Sequence, residues 1–173
     1  MEAPRYIIRE ANTDEHEALG RLMVDVYSQL EGFPTKDEQP KYYQMLLNVG
    51  SFSQKPYTKI IVSLLDDKIV GGVVYFSDMS QYGSGGTATQ EKNASGFRLL
   101  AVDPSTRGLG IGKALVNYCI QLAREANHKQ VIIHSTHAMK VAWGMYEALG
   151  FKRAVELDFM QEKLQVFGFR LEV

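Results

Sequence analysis

One stretch constrains this chain more than any other: Leu99-Leu100-Ala101-Val102-Asp103-Pro104-Ser105-Thr106-Arg107-Gly108-Leu109-Gly110-Ile111-Gly112-Lys113. It reads as an apolar strand, a Pro-led turn, and a glycine-rich bend that opens a helix. That layout aims several backbone N–H groups, at the positive end of a helix, toward one point. Such a point holds phosphate with little further help. The stretch therefore predicts the floor of a site for a diphosphate-bearing cofactor.

The flanking sequence sets the fold around it. Residues 6–9 are a short β-rich run, and Asn12 with Glu15 has capping-box spacing. Leu19, Leu22, Met23, Val26 and Leu30 recur at helical intervals, and Gly32 and Pro34 break that helix. A second helix is expected from Pro40 to about Val49, with Tyr42, Tyr43, Leu46 and Leu47 on one face. Residues 59–65 and 69–76 read as a hairpin turned by Asp66-Asp67-Lys68. Residues 77–95 are rich in Gly, Ser, Thr and Asn and read as a long loop with almost nothing to bury, functional or disordered.

The strand at 96–102 precedes the bend, and the helix after it carries Ile111, Ala114, Leu115, Tyr118, Leu122 and Ala126 on one face. Residues 130–134 read as a buried strand, 138–149 as a helix ended by Gly150, and 151–159 and 165–173 as two closing strands. The order is β-α-α-β-β-loop-β-α-β-α-β-β, with no internal repeat and no linker. A central and a terminal hairpin exclude a purely parallel doubly wound sheet. The fold class expected is α/β of mixed α+β type: a mixed sheet with helices on both faces.

Bulk properties narrow the partners. The 173 residues suit one domain and can bury a core without staples. Net charge is −1, which disfavours nucleic acid and anionic membrane as partners. Charge is uneven: residues 1–50 carry nine acidic against five basic side chains, and the remainder eleven against fourteen. Cys119 is the only cysteine, so neither an intrachain disulfide nor a Cys-based zinc site is expected, and no metal is. Met1-Glu2-Ala3-Pro4-Arg5 leads into a strand rather than an apolar signal core, which predicts a cytoplasmic protein.

Two familiar phosphate motifs fail on the glycine bend. A P-loop needs Gly, four residues, then Gly-Lys-Ser/Thr; here Gly112-Lys113 is followed by Ala114, and Arg107 stands where the first Gly belongs. The dinucleotide fingerprint fails because the glycines fall at 108, 110 and 112. A third pattern, Gln/Arg-x-x-Gly-x-Gly/Ala, matches Arg107, Gly110 and Gly112.

With Leu100-x-Val102-x-Pro104 upstream and Ala142-x-x-x-Tyr146-x-x-x-Gly150-Phe151 downstream, the sequence resembles the GNAT superfamily of N-acyltransferases. The motifs span residues 96–151, and the order of elements agrees; the resemblance implies a mixed, mostly antiparallel central sheet of about six or seven strands flanked by about four helices. The resemblance implies a single N-acetyltransferase domain over residues 1–173. It implies acetyl-CoA, or another acyl-CoA, in a cleft where parallel strands 96–102 and 130–134 splay apart. The backbone at Arg107, Gly108, Leu109, Gly110, Ile111, Gly112 and Lys113 would hold the pyrophosphate. Leu100, Ala101 and Val102 would pair with the pantetheine arm like an added strand.

Acyl transfer needs a neutral amine, a donor to the thioester oxygen, and an acid for the leaving thiolate. In the resemblance the Val102 amide is the oxygen donor and Tyr146 the general acid; the alternative for Tyr146 is a packed core tyrosine. His134, at a strand end beside the cleft, is the candidate base, His137 a weaker one, and ordered water a third route. Ser135 is a candidate pantetheine contact. Many relatives carry Asn where this chain has Met139, and a thioether cannot supply an amide's donor and acceptor. Cys119 reads as inert.

The acceptor region is expected at 27–43, with loop 77–95. Glu31, Asp37 and Glu38 lie near Phe33, Tyr42 and Tyr43, which suits a cationic amine as well as it suits a solvated loop. The leading expectation is acetyl transfer from acetyl-CoA to a small-molecule amine acceptor. The alternatives are an inactive or weak acyl-CoA sensor and a protein N-terminal or lysine acetyltransferase, with a homodimer left open.

Overall fold

The computed structural model describes residues 6–173. The run 1–5, read as the lead into the first strand, lies outside the described residues. Strand β1 (Tyr6–Glu10) enters helix α1 (His16–Ser28) through a short turn, where the Asn12 amide donates to Glu15 Oε1 at 2.8 Å. Helix α2 (Pro40–Leu47) starts on its proline and gives way to a 3-10 turn over Val49–Gln54. The hairpin is β2 (Thr58–Leu65) and β3 (Lys68–Phe76). Strand β4 (Ala94–Val102), helix α3 (Ile111–Glu125), strand β5 (Gln130–Ser135) and helix α4 (Lys140–Ala148) follow. The chain closes with β6 (Lys152–Arg153), β7 (Phe159–Gln161) and β8 (Leu164–Glu172).

The strands run in the order β1-β2-β3-β4-β5-β8-β6, with β7 paired to β8. Every pairing is antiparallel except β4 with β5, which is parallel. One core forms where α1 and α2 cover the sheet, around Leu19, Met23, Leu46 and Phe76. The other lies under α3 and α4, around Ile61, Leu115, Ile133 and Phe169. This is the mixed sheet with helices on both faces that the element order predicts, mostly antiparallel as the resemblance implies.

Two expectations need correction. The loop 77–95 buries more than its composition implies. Asp78 accepts hydrogen bonds from the Ser80 amide at 2.9 Å and the Ser80 hydroxyl at 2.8 Å, and that cap winds Met79–Gln81 into a 3-10 turn. The turn drives Met79 and Tyr82 into the core, and Ala88 follows in a second turn. The expected strand 151–159 is interrupted. Its centre forms a 3-10 turn over Val155–Leu157 that buries Leu157 and leaves Val155 outside. Arg153 and Asp158 pin this turn: Asp158 Oδ1 accepts the Gly168 amide at 2.7 Å, and Arg153 Nη1 donates to the Gly168 carbonyl at 2.6 Å.

Candidate active site

The site is a cleft of about 1000 Å³ between α1–α2, the open side of β4, and α3–α4. It exists because the parallel pair separates. β4 and β5 are in register only from Ala94 with Gln130 to Gly96 with Ile132, and past Gly96 the two strands have no pairing. A bulge sharpens the departure. Leu99 and Leu100 together oppose the single residue Val73 of β3, and Leu99 takes a left-handed φ of 62°. The bulge carries Leu99 and Ala101 to the α1–α2 face and Leu100 and Val102 to the α3–α4 face.

The backbone at the end of β4 is set by its neighbours. The Asp103 amide donates to the Val70 carbonyl at 2.7 Å, back toward β3. Alternation along a strand then turns the Val102 amide the other way, into the gap left by β5. The Leu100 carbonyl accepts the Tyr27 hydroxyl at 2.9 Å, so part of the strand edge expected for pantetheine already has a side-chain partner.

The glycine bend behaves as its sequence predicts. Asp103 caps the Pro104–Thr106 turn through the Ser105 amide, and those hydrogen bonds hold its carboxyl below the usual carboxylate range. Gly108 and Gly110 sit at φ of 87° and 80°, which a side chain adopts only with strain. Gly110 starts α3, and Ala114 is the first residue to close a bond onto it, at 3.0 Å. The amides of Ile111, Gly112 and Lys113 are left without helical acceptors. A Cβ on Gly108 would meet nothing within 4 Å, so open space lies over the cradle.

Among the residues singled out from sequence, Leu100, Ala101, Val102, Arg107, Gly108, Gly110, Ile111, Gly112, Lys113, His134, Ser135 and Tyr146 all line the cleft. Leu109 does not: its side chain packs into the α3–α4 core and its amide donates to the Thr106 carbonyl at 3.4 Å. His137 also lies off the cleft, stacked on Trp143 with ring centroids 5.3 Å apart. Glu31, Asp37 and Glu38 are absent from the lining too; Glu38 accepts the Thr35 amide and closes its own turn. Cys119 is buried, and desolvation alone pushes its thiol far up, which makes it inert.

Tyr146 packs its ring against Phe97 and Phe151, and its hydroxyl makes no hydrogen bond among the described residues. Burial raises its pKa well above the ordinary phenol value, with nearby Tyr82 adding to the effect. His134 is fully engaged. Nε2 lies 3.0 Å from the Leu157 carbonyl, and Nδ1 lies 2.9 Å from the Tyr82 hydroxyl. A carbonyl only accepts, so Nε2 carries the proton and Nδ1 accepts from Tyr82. Desolvation lowers the His134 pKa, and the positive charge of Arg98 lowers it further.

Tyr27 lines the cleft from within the expected acceptor region 27–43, while Tyr82, covered only as part of loop 77–95, and Arg98 and Thr136 line it without having been singled out. Signals existed for two of them. Tyr82 is an aromatic in an otherwise polar loop, and Arg98 is a lone cation in the apolar strand Gly-Phe-Arg-Leu-Leu-Ala-Val. Thr136 is 3% exposed and its hydroxyl has no partner among the described residues. That orphan borders Ser135 and Met139, where an amide-rich ligand arm would supply the missing acceptor and donor. The cradle, the open strand edge and this orphan together fit CoA.

Comparison with known proteins agrees with the geometry. The model of the acetyltransferase (GNAT) family matches residues 18–151, which include the splayed parallel pair and the glycine bend. This chain belongs to the GNAT acetyltransferase family. It is 39% identical over 70 residues to human N-acetyltransferase 8B, which covers 40% of this chain and 30% of that protein. It is 32% identical over 102 residues to Xenopus tropicalis N-acetylaspartate synthetase, covering 58% and 33% respectively. The matched region thus spans about a third of the length of these curated relatives. A GNAT-family acetyltransferase from Staphylococcus aureus superposes with a TM-score of 0.74 at 19% identity, over 97% of this chain and 99% of that one. An N-acetyltransferase from Thermoplasma acidophilum, solved in complex with coenzyme A, superposes at 0.70 with 15% identity, over 95% and 98%. No helix among the described residues is long and apolar enough to cross a membrane.

Proposed function

We propose that this chain is a single-domain N-acetyltransferase that moves an acetyl group from acetyl-CoA to a small-molecule amine. The observation that carries the reading is the meeting, in one cleft, of an amide-rich phosphate cradle, the inward Val102 amide and the uncommitted Tyr146 hydroxyl. Acetyl-CoA supplies an acyl carbon held as a thioester, which an amine nitrogen attacks with release of the CoA thiol.

The chain's residues then have distinct tasks. The amides of Gly108, Gly110, Ile111, Gly112 and Lys113, with the Arg107 and Lys113 charges, bind the pyrophosphate. Leu100, Ala101, Ser135 and Thr136 line the pantetheine channel, and Thr136 stands in for the amide that Met139 lacks. The Val102 amide donates to the thioester oxygen as charge develops there. Tyr146, held protonated by burial, donates to the departing sulfur. His134 does not meet the amine directly, because the Tyr82 hydroxyl occupies Nδ1. The proton leaving the amine passes to the Tyr82 oxygen while the Tyr82 proton moves to His134 Nδ1. This replaces the simpler expectation of His134 as a free base.

Calorimetry tests the first requirement. Acetyl-CoA is expected to bind one-to-one and to raise the melting temperature. Absence of both effects would overturn the reading. Tight binding with no amine turned over would favour a sensor.

A further inference from the structure

The acceptor half of the cleft has a charge pattern opposite to the one expected for a cationic acceptor. Among the described residues, no Asp or Glu lines the cleft; the charged residues that do are Lys41, Arg98, Arg107, Lys113 and Lys140. Arg107 and Lys113 belong to the phosphate cradle, and Lys140 opens α4. Arg98 stands apart from them on β4, immediately before the Leu99 bulge, where strand alternation points it toward α2 and the 77–95 loop.

The Arg98 guanidinium is half-buried and forms no ion pair among the described residues. Its Nη1 donates to the Tyr82 carbonyl at 3.0 Å, and its Nη2 touches only the Met45 sulfur at 3.8 Å. The group lies 5.9 Å from the Tyr82 ring centroid. A guanidinium offers five N–H donors in a planar fork, so most of this fork is uncommitted. Taking a cation out of water without an anion is costly, and a planar carboxylate in the fork relieves that cost with two parallel hydrogen bonds. On the α1–α2 side the cleft lining includes Tyr27, Phe33, Tyr42, Met45 and Leu164, all apolar or aromatic.

We propose that Arg98 anchors the carboxylate of the acceptor, so that the acceptor is an amine bearing both a carboxylate and an apolar body, in the manner of an apolar amino acid. The proposal rests on the acyl-transfer reading and narrows it. With its carboxylate on Arg98 and its side chain against Tyr42 and Phe33, such a molecule has its amino group left to point along β4 toward Val102 and the Tyr82 hydroxyl.

The experiment compares each amino acid with its decarboxylated partner: L-phenylalanine with phenethylamine, and L-leucine with isopentylamine. Thiol release from acetyl-CoA gives turnover, and calorimetry on CoA-loaded protein gives binding without turnover. The wild type is expected to prefer the carboxylate-bearing member of each pair by at least about tenfold in kcat/KM. Arg98→Gln should erase that preference mainly through KM, lowering kcat/KM for the amino acids far more than for the decarboxylated amines, with CoA affinity retained. Arg98→Lys, which keeps the charge but not the fork, should fall between. A wild type that prefers the decarboxylated amines, or equal losses on both series in Arg98→Gln, would overturn the proposal. So would failure of both amino acids to bind CoA-loaded protein, whatever the turnover. Absence of acetyl-CoA binding instead counts against the acyl-transfer reading.

Discussion

The Tyr82 hydroxyl donates to His134 Nδ1 at 2.9 Å, while His134 Nε2 is fixed on the Leu157 carbonyl at 3.0 Å. The second bond sets the tautomer, and the tautomer leaves Nδ1 able to receive a proton only through Tyr82. Tyr82→Phe keeps the ring that packs on Phe76 at 5.6 Å and removes only the relay oxygen. It is expected to preserve the fold and to lower kcat by roughly a hundredfold. Steady-state kinetics with melting curves checks this; an unchanged kcat would leave the proton to ordered water.

The same histidine predicts a pH effect on stability. Burial lowers its folded pKa below the reference value, so on acidification the unfolded chain takes up a proton that the folded chain resists. Stability is therefore expected to fall as pH drops through about 6.5 and to level off only below the folded pKa. Urea midpoints between neutral and mildly acid pH should decline less steeply in His134→Gln than in the wild type. Identical slopes would show that His134 does not contribute.

Tyr146→Phe separates chemistry from packing. Phe97 and Phe151 contact the ring, and the hydroxyl has no hydrogen-bond partner among the described residues, so the melting temperature should be nearly unchanged. The loss is expected in kcat, by about a hundredfold or more, with KM for acetyl-CoA preserved. Leaving-group analogues with a more acidic thiol should recover part of it.

Thr136→Val tests the orphaned hydroxyl. Removing a buried hydroxyl without a partner is expected to leave stability equal or improved. Affinity for acetyl-CoA should nonetheless weaken by roughly three- to tenfold, the worth of one hydrogen bond. An unchanged dissociation constant would remove Thr136 from the pantetheine channel.

The fold was legible where local chemistry decided it. Pro104, Gly108 and Gly110 announce the turn and the bend, and the spacing of Leu19, Met23 and Val26 announces α1. The placement of Val102, Arg107, Gly110 and Gly112 along the cleft was legible for the same reason, since short motifs control that backbone. The acceptor side was not. Tyr82 sits in a loop whose polar composition hides the Asp78 cap that turns Tyr82 inward. Arg98 alternates with Phe97 onto the α1–α2 face of the sheet, but what it meets there, the Tyr82 carbonyl and Met45, comes from segments distant in sequence. The broken strand at 155–157 likewise depends on Arg153, Asp158 and Gly168, which meet only after β8 has folded back.

Acyl transfer itself is tested most directly by incubating the protein with acetyl-CoA and a mixed panel of amines and following free thiol together with the N-acetyl product. The account predicts amine-dependent thiol release in step with product, strongly reduced in Tyr146→Phe and in Tyr82→Phe. Acetyl-CoA binding with no amine-dependent thiol release on any amine of the panel would contradict it.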